Sequence, residues 1–141
     1  MHPPYAGIVS RISAIAVDAL VLAVAVSSVA AGFPVVWEQV IGTPPNWVQT
    51  GAQWVGTLLP VVYFAGCWSV SGRTLGGLLM GTRVQRLDGS RVGFARALLR
   101  AVVGLLLVPV WVIGLVAILG TEKRQALHDK LFNTVVRFTA L

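Results

Sequence analysis

Apolar positions along the chain gather into three blocks, residues 12–33, 52–70 and 101–120. Each is close to the ~20 residues that cross a hydrocarbon core. Period-two patterning is confined to short runs. TRVQRLDGSRVGF, residues 82–94, places two β-capable stretches around Asp88-Gly89, the dipeptide that favours a type I′ hairpin, and NTVVRF near the C-terminus supplies a third. The pattern predicts one domain over 1–141, with helix one at about 8–32, an outer loop at 33–51 and helix two at about 52–70. A cytoplasmic segment at 71–92, a third apolar block at 93–120 and a cytoplasmic tail at 121–141 complete it.

Composition turns this pattern into a membrane protein. Of 141 residues, 56% are hydrophobic and only 11% charged, which leaves too little polar surface for a water-soluble domain. Arg11 before an apolar run, with SVAAG behind it, has the outline of a secretory signal. Asp18 in the middle of that run opposes this reading, and the block is expected to be retained as helix one. Cys67 is the single cysteine, so the chain holds no intrachain disulfide.

Charge gives the chain an orientation. The 11 Lys and Arg residues fall at Arg11, between Arg73 and Arg100, and from Lys123 to Arg137; the loop after helix one has none and carries only Glu38. The positive-inside bias places that loop outside and residues 1–10 and 71–100 in the cytoplasm. Trp37, Trp47 and Trp54 fit an outer aromatic belt, and Trp68 fits the inner end of helix two. The net charge of +6 does not point to nucleic acid, because the basic residues flank apolar segments without interleaved aromatics. Anionic lipid headgroups are the matching counter-charge.

The third block conflicts with the same bias, since a single crossing would strand the basic tail outside. Pro109 removes a backbone donor near its middle. A re-entrant hairpin, 94–108 then 110–119, returns the tail to the cytoplasm and lets NTVVRF join the hairpin around Asp88-Gly89; one Pro-kinked span is the alternative. The expected fold class is an all-α membrane protein: two transmembrane helices, a Pro-broken third block and a small cytoplasmic β-hairpin.

Candidate chemistry is sparse. No GxSxG, HExxH or paired-carboxylate arrangement is present, and His2 and His128 are the only histidines, so neither an enzyme nor a cofactor or metal site is expected. Gly72-x3-Gly76 and Gly77-x3-Gly81 suit close helix approach rather than a phosphate loop, because the Gly-Lys-Ser/Thr ending is missing. Arg96 and Arg100 sit one helical turn apart at headgroup level. The conspicuous residues are Arg11 and Asp18, seven positions apart on one helix face and ~10 Å apart along its axis. Side chains lean toward the helix N-terminus, so Arg11 reaches away from Asp18 and each needs a partner from elsewhere. An unpaired charge at the depth of Asp18 costs up to ~2.5–3.5 kcal/mol. Arg73, Arg96, Arg100 or water are its candidate partners, and Asp129 is the expected partner of Arg11. His128 reads as a solvated interfacial histidine, with a proton relay to Asp18 and Asp129 as the sharper alternative.

SRISAIAVDALV, SGRTLGGLLMGTRVQRLDG, RALLR and KRQALHDKLFNTVVR together resemble the RDD family of small bacterial membrane proteins, named for one arginine and two aspartates. The resemblance runs through nearly the whole chain and identifies Arg11, Asp18 and Asp129 as the signature charges. Gly77 departs from it, standing where the family commonly has lysine. The resemblance implies a multi-pass protein of the bacterial inner membrane with a cytoplasmic N-terminus, and it leaves activity open.

Two functions compete. One is a non-enzymatic accessory or scaffolding subunit of a membrane complex, favoured by small size and by Ala14, Ala16, Ala19, Ala23 and Ala25 on helix one. The other is a cation/proton antiporter or solute carrier acting as an oligomer, with Asp18 as the ion or proton site. Lipid binding through the cytoplasmic arginines is compatible with both. Expected partners are the bilayer and either other membrane subunits or further copies of the chain.

Overall fold

The computed structural model describes residues 5–106 and 127–138. Helix α1, Ile8–Ser27, passes through a π-helical turn at Ser28–Gly32 into α2, Phe33–Val40. The π turn precedes Pro34, whose ring nitrogen has no proton for the helix ladder, and widening the turn absorbs that missing donor. Helix one therefore does not stop near residue 32. It runs on to Val40, and the expected 33–51 loop shrinks to residues 41–45.

Helix α3, Asn46–Val70, begins six residues before the predicted start, because Pro45 is in extended conformation and delivers the chain to the first helical turn. It packs along α1 where the Val26 and Ala30 side chains lie in ordinary contact distance of the Gly56 position. Trp37 and Trp47 stack edge to face beside the connecting turn, with centroids 5.5 Å apart, and Trp54 is exposed on α3.

Beyond α3 the chain folds into a foot. The short helix α4, Leu75–Leu79, leads to strand β1, Thr82–Arg86, then to α5, Phe94–Leu106, the short α6, Leu127–Leu131, and strand β2, Thr134–Phe138. Strand β1 pairs antiparallel with β2, Val84 opposite Val136. On the other side of β2, Tyr5 bridges Arg137 and the Ala6 amide donates to the Val136 carbonyl at 3.0 Å. The N-terminal segment and β1 thus flank β2 on its two edges. Asn133, at φ 51°, supplies the left-handed residue that reverses the chain from α6 into β2, a conformation asparagine tolerates.

The hairpin expected within residues 82–94 is not formed. Asp88-Gly89 does turn, with Gly89 at φ 82° and the Arg86 amide donating to the Ser90 carbonyl at 3.0 Å. The chain then leaves the sheet and buries Val92 in the core instead of continuing the ladder. Strand β2 takes the pairing position because Thr134 to Arg137 are all buried, far more than a solvent-facing return strand would cover. The core lies in this foot: Ala6, Ala65, Trp68, Val84, Val136 and Ala97, with Val92 and Ala101 completing it.

Above the foot the usual arrangement is inverted. On α1 the buried positions are Arg11, Ala14, Asp18 and Leu22, one helical face, whereas Val9, Ile12, Leu20 and Val24 are exposed. Helix α5 repeats this, burying Ala97, Arg100 and Ala101 and exposing Phe94, Leu99 and Leu106. Among the described residues one helix, Ile8–Val40, is long and apolar enough to cross a membrane. The reversal expected at Pro109 lies outside the described residues.

Candidate functional site

Two polar clusters organise the foot. The first centres on Asp129, held on the short α6 with no exposed surface. One of its carboxylate oxygens is ion-paired with Arg11 of α1, and the other receives Nη2 of Arg100 from α5 at 2.7 Å. Arg100 also donates from Nη1 to the Thr134 hydroxyl at 2.7 Å, and its guanidinium lies 4.7 Å from the centroid of the Trp68 ring. The ring face and the hydroxyl oxygen give the Arg100 guanidinium further contacts beside the carboxylate. One carboxylate thereby ties together α1, α5, α6 and the start of β2.

The second cluster centres on Asp18, 3% exposed. Its Oδ1 accepts from the Tyr63 hydroxyl at 2.7 Å and from the Gly76 amide at 2.8 Å. The Tyr63 oxygen in turn accepts from the Leu75 amide at 3.0 Å, and the Thr74 hydroxyl oxygen accepts from the Gly77 amide at 3.0 Å. Helix N-termini leave their first amides without intrahelical partners. Here three successive amides of α4 are satisfied by Tyr63, Asp18 and Thr74, with the carboxylate at the electropositive end of the turn. This requires α1 and α4 to touch backbone to backbone. A Cβ placed on Gly76 would lie 2.0 Å from the Ala14 carbonyl oxygen, so only glycine fits.

Between the clusters lies a cavity of about 70 Å³. Its polar walls include Arg11, Asp18, Arg73, Thr74, Thr82 and Arg100, and Phe64 and Trp68 contribute apolar surface.

Arg11 meets Asp129, as expected from their placement at one end of the predicted bundle. Arg11 and Asp18 make no bond with each other among the described residues, in keeping with the lean of helical side chains. The arginines offered as partners for Asp18 are a correction: Arg100 is committed to Asp129 and Thr134, Arg73 lines the cavity without an ion pair among the described residues, and Arg96 borders a separate hollow beside Leu131 and Asn133. Tyr63 and a backbone amide take that place. Trp68 lies at the foot end of α3 as expected, but is 6% exposed and covers Arg100 rather than facing outward. The side chain of His128 lies outside the described residues. Tyr63 leaves no periodic signal in an apolar run; the one cue to its partner helix is Thr74 three residues before Gly77, the spacing of a helix cap.

The RDD family model matches residues 5–133, from α1 through α6 and including Arg11, Asp18, Arg100 and Asp129. The chain belongs to the RDD family. No curated protein and no solved structure matches it. In this RDD chain Arg11 is ion-paired with Asp129, while Asp18 joins α1 to α4. Gly77 is buried against Thr74 and Thr82 in a tightly packed turn.

Proposed function

We propose that this RDD protein is a multi-pass protein of the bacterial inner membrane that acts without enzymatic chemistry, as an accessory or scaffolding subunit of a larger membrane complex. The observation that carries this reading is the use made of the signature charges. Arg11 and Asp129 join distant parts of the chain, and Asp18 terminates a helix, so all three have structural work.

Burial of charge beside exposure of Val9, Leu20, Val24, Val55, Leu58 and Val62 favours a lipid surround, because only an apolar solvent rewards that inversion. Helices α1–α2 and α3 then serve as two antiparallel spans. Helix α3 has 25 residues, about 37 Å at the α-helical rise, which is long enough to cross. The turn at 41–45 faces outward, and the foot, with most of the arginines, faces the cytoplasm. Pairing of β2 with β1 and Tyr5 supports a C-terminus on the same side as the N-terminus.

The cation/proton antiporter reading draws on Asp18 lining the cavity. It weighs less because Asp18 Oδ1 already takes two hydrogen bonds and three arginines share the walls. Purification from native membranes in mild detergent tests the accessory role. Recovery with a membrane partner at fixed stoichiometry is the expected result; recovery of the chain alone, whatever the detergent, overturns it.

A further inference from the structure

The cavity between the two clusters has an unbalanced wall. Among the described residues that line it, Arg11 from α1, Arg73 from the α3–α4 turn and Arg100 from α5 stand with Asp18, and Arg11 and Arg100 are already ion-paired with Asp129. Asp18 is already held by the Tyr63 hydroxyl and the Gly76 amide. Arg73 is half-buried and makes no ion pair among the described residues. Arg100, 3% exposed, keeps a buried Nε without a hydrogen-bond partner although both its Nη atoms are engaged. A buried guanidinium N–H left unsatisfied is costly, and a half-buried arginine without a counter-ion leaves its attraction unused. Both conditions are relieved by an acceptor-rich anion and worsened by a cation.

We propose that this cavity binds a phosphate group, with Arg73 as its principal donor and Arg100 as the buried positive wall. Guanidinium groups match the oxygens of a phosphate in geometry as well as charge. About 70 Å³ holds on the order of five water-sized probes, which admits a phosphate but not a whole headgroup. The cavity touches Trp68 and Gly72 at the foot end of α3, which under the membrane reading is headgroup level, where basic pockets between helices take lipid phosphates. The phosphodiester of an anionic lipid and free inorganic phosphate share this chemistry.

The test uses the full chain in neutral detergent, with thermal unfolding and native mass spectrometry, titrated with phosphatidylglycerol, phosphatidylcholine or inorganic phosphate at fixed ionic strength. Wild type is compared with Arg73→Gln and with Arg91→Gln, an exposed arginine that does not line the cavity. Saturable protection by phosphatidylglycerol above phosphatidylcholine, weakened roughly tenfold in Arg73→Gln and unchanged in Arg91→Gln, supports the site with a lipid as its source. The same pattern with inorganic phosphate supports the site with a free anion. Protection that is absent, or equally sensitive to both substitutions, overturns the proposal. So does protection by sodium or potassium that is lost in Asp18→Asn.

Discussion

Arg11 and Asp129 stand 118 positions apart in the sequence and meet as an ion pair with both side chains buried. The same carboxylate also receives Arg100, so its loss takes a counter-charge from two buried arginines. Removing one member of a buried ionic cluster costs about 3–5 kcal/mol, because the remaining charge is left without compensation. Asp129→Ala is expected to destabilise by that amount and more than Arg11→Ala does, measured by unfolding in detergent. The double variant should fall short of the sum of the single ones by about 0.5–3 kcal/mol; additive effects would contradict the pairing.

Gly76 and Gly51 give a contrast within one residue type. A methyl group at Gly76 meets the Ala14 carbonyl, whereas the Gly51 position is open. Gly76→Ala should abolish folded protein or separate α4 from α1, while Gly51→Ala on α3 should be neutral or stabilise by up to about 1 kcal/mol. The check is folded yield with melting temperature. Equal tolerance of both changes would remove the close approach of α1 and α4.

Tyr63 serves Asp18 as donor and Leu75 as acceptor, so Tyr63→Phe leaves Asp18 with the Gly76 amide alone and takes the acceptor from the Leu75 amide. The expected loss is about 1–3 kcal/mol. Hydrogen exchange at the amides of Leu75 and Gly76 should accelerate in this variant, with the strands unaffected. Unchanged exchange would show that the α4 turn does not depend on the hydroxyl.

Asp88 is exposed on its turn, and hydrogen bonds from the Ser90 hydroxyl and amide, with the Arg86 charge nearby, hold its carboxyl below the usual range. A carboxyl lowered in the folded state contributes stability that is complete at neutral pH and lost as pH falls through the folded-state value. The Asp88 carbon resonance should therefore titrate below that of a model peptide, and Ser90→Ala should move it upward. An unchanged titration in Ser90→Ala would separate the turn from its hydrogen bonds.

The inward polar face of α1 and the β-capable C-terminal run were readable from residue type and spacing alone, since Arg11 and Asp18 share one helical face and residues 134–136 are all β-branched. The partner of β1 was not. A local hairpin around Asp88-Gly89 and a distant pairing with residues 134–138 satisfy the same pattern, and the distant one wins by burying β2 between β1 and the N-terminal segment. The end expected for helix one near residue 32 does not form, because Pro34 is absorbed by a π turn. The partners of Asp18 were hidden for a different reason: an amide has no sequence signature, and a single tyrosine hydroxyl leaves the hydropathy of its helix nearly unchanged.

Proteoliposomes containing the purified protein, loaded with a pH reporter and given sodium or potassium gradients, test most directly whether the signature charges are structural. The account predicts no proton movement above protein-free vesicles, for wild type and for Asp18→Asn alike. Cation-driven proton flux that disappears in a folded Asp18→Asn protein would contradict it.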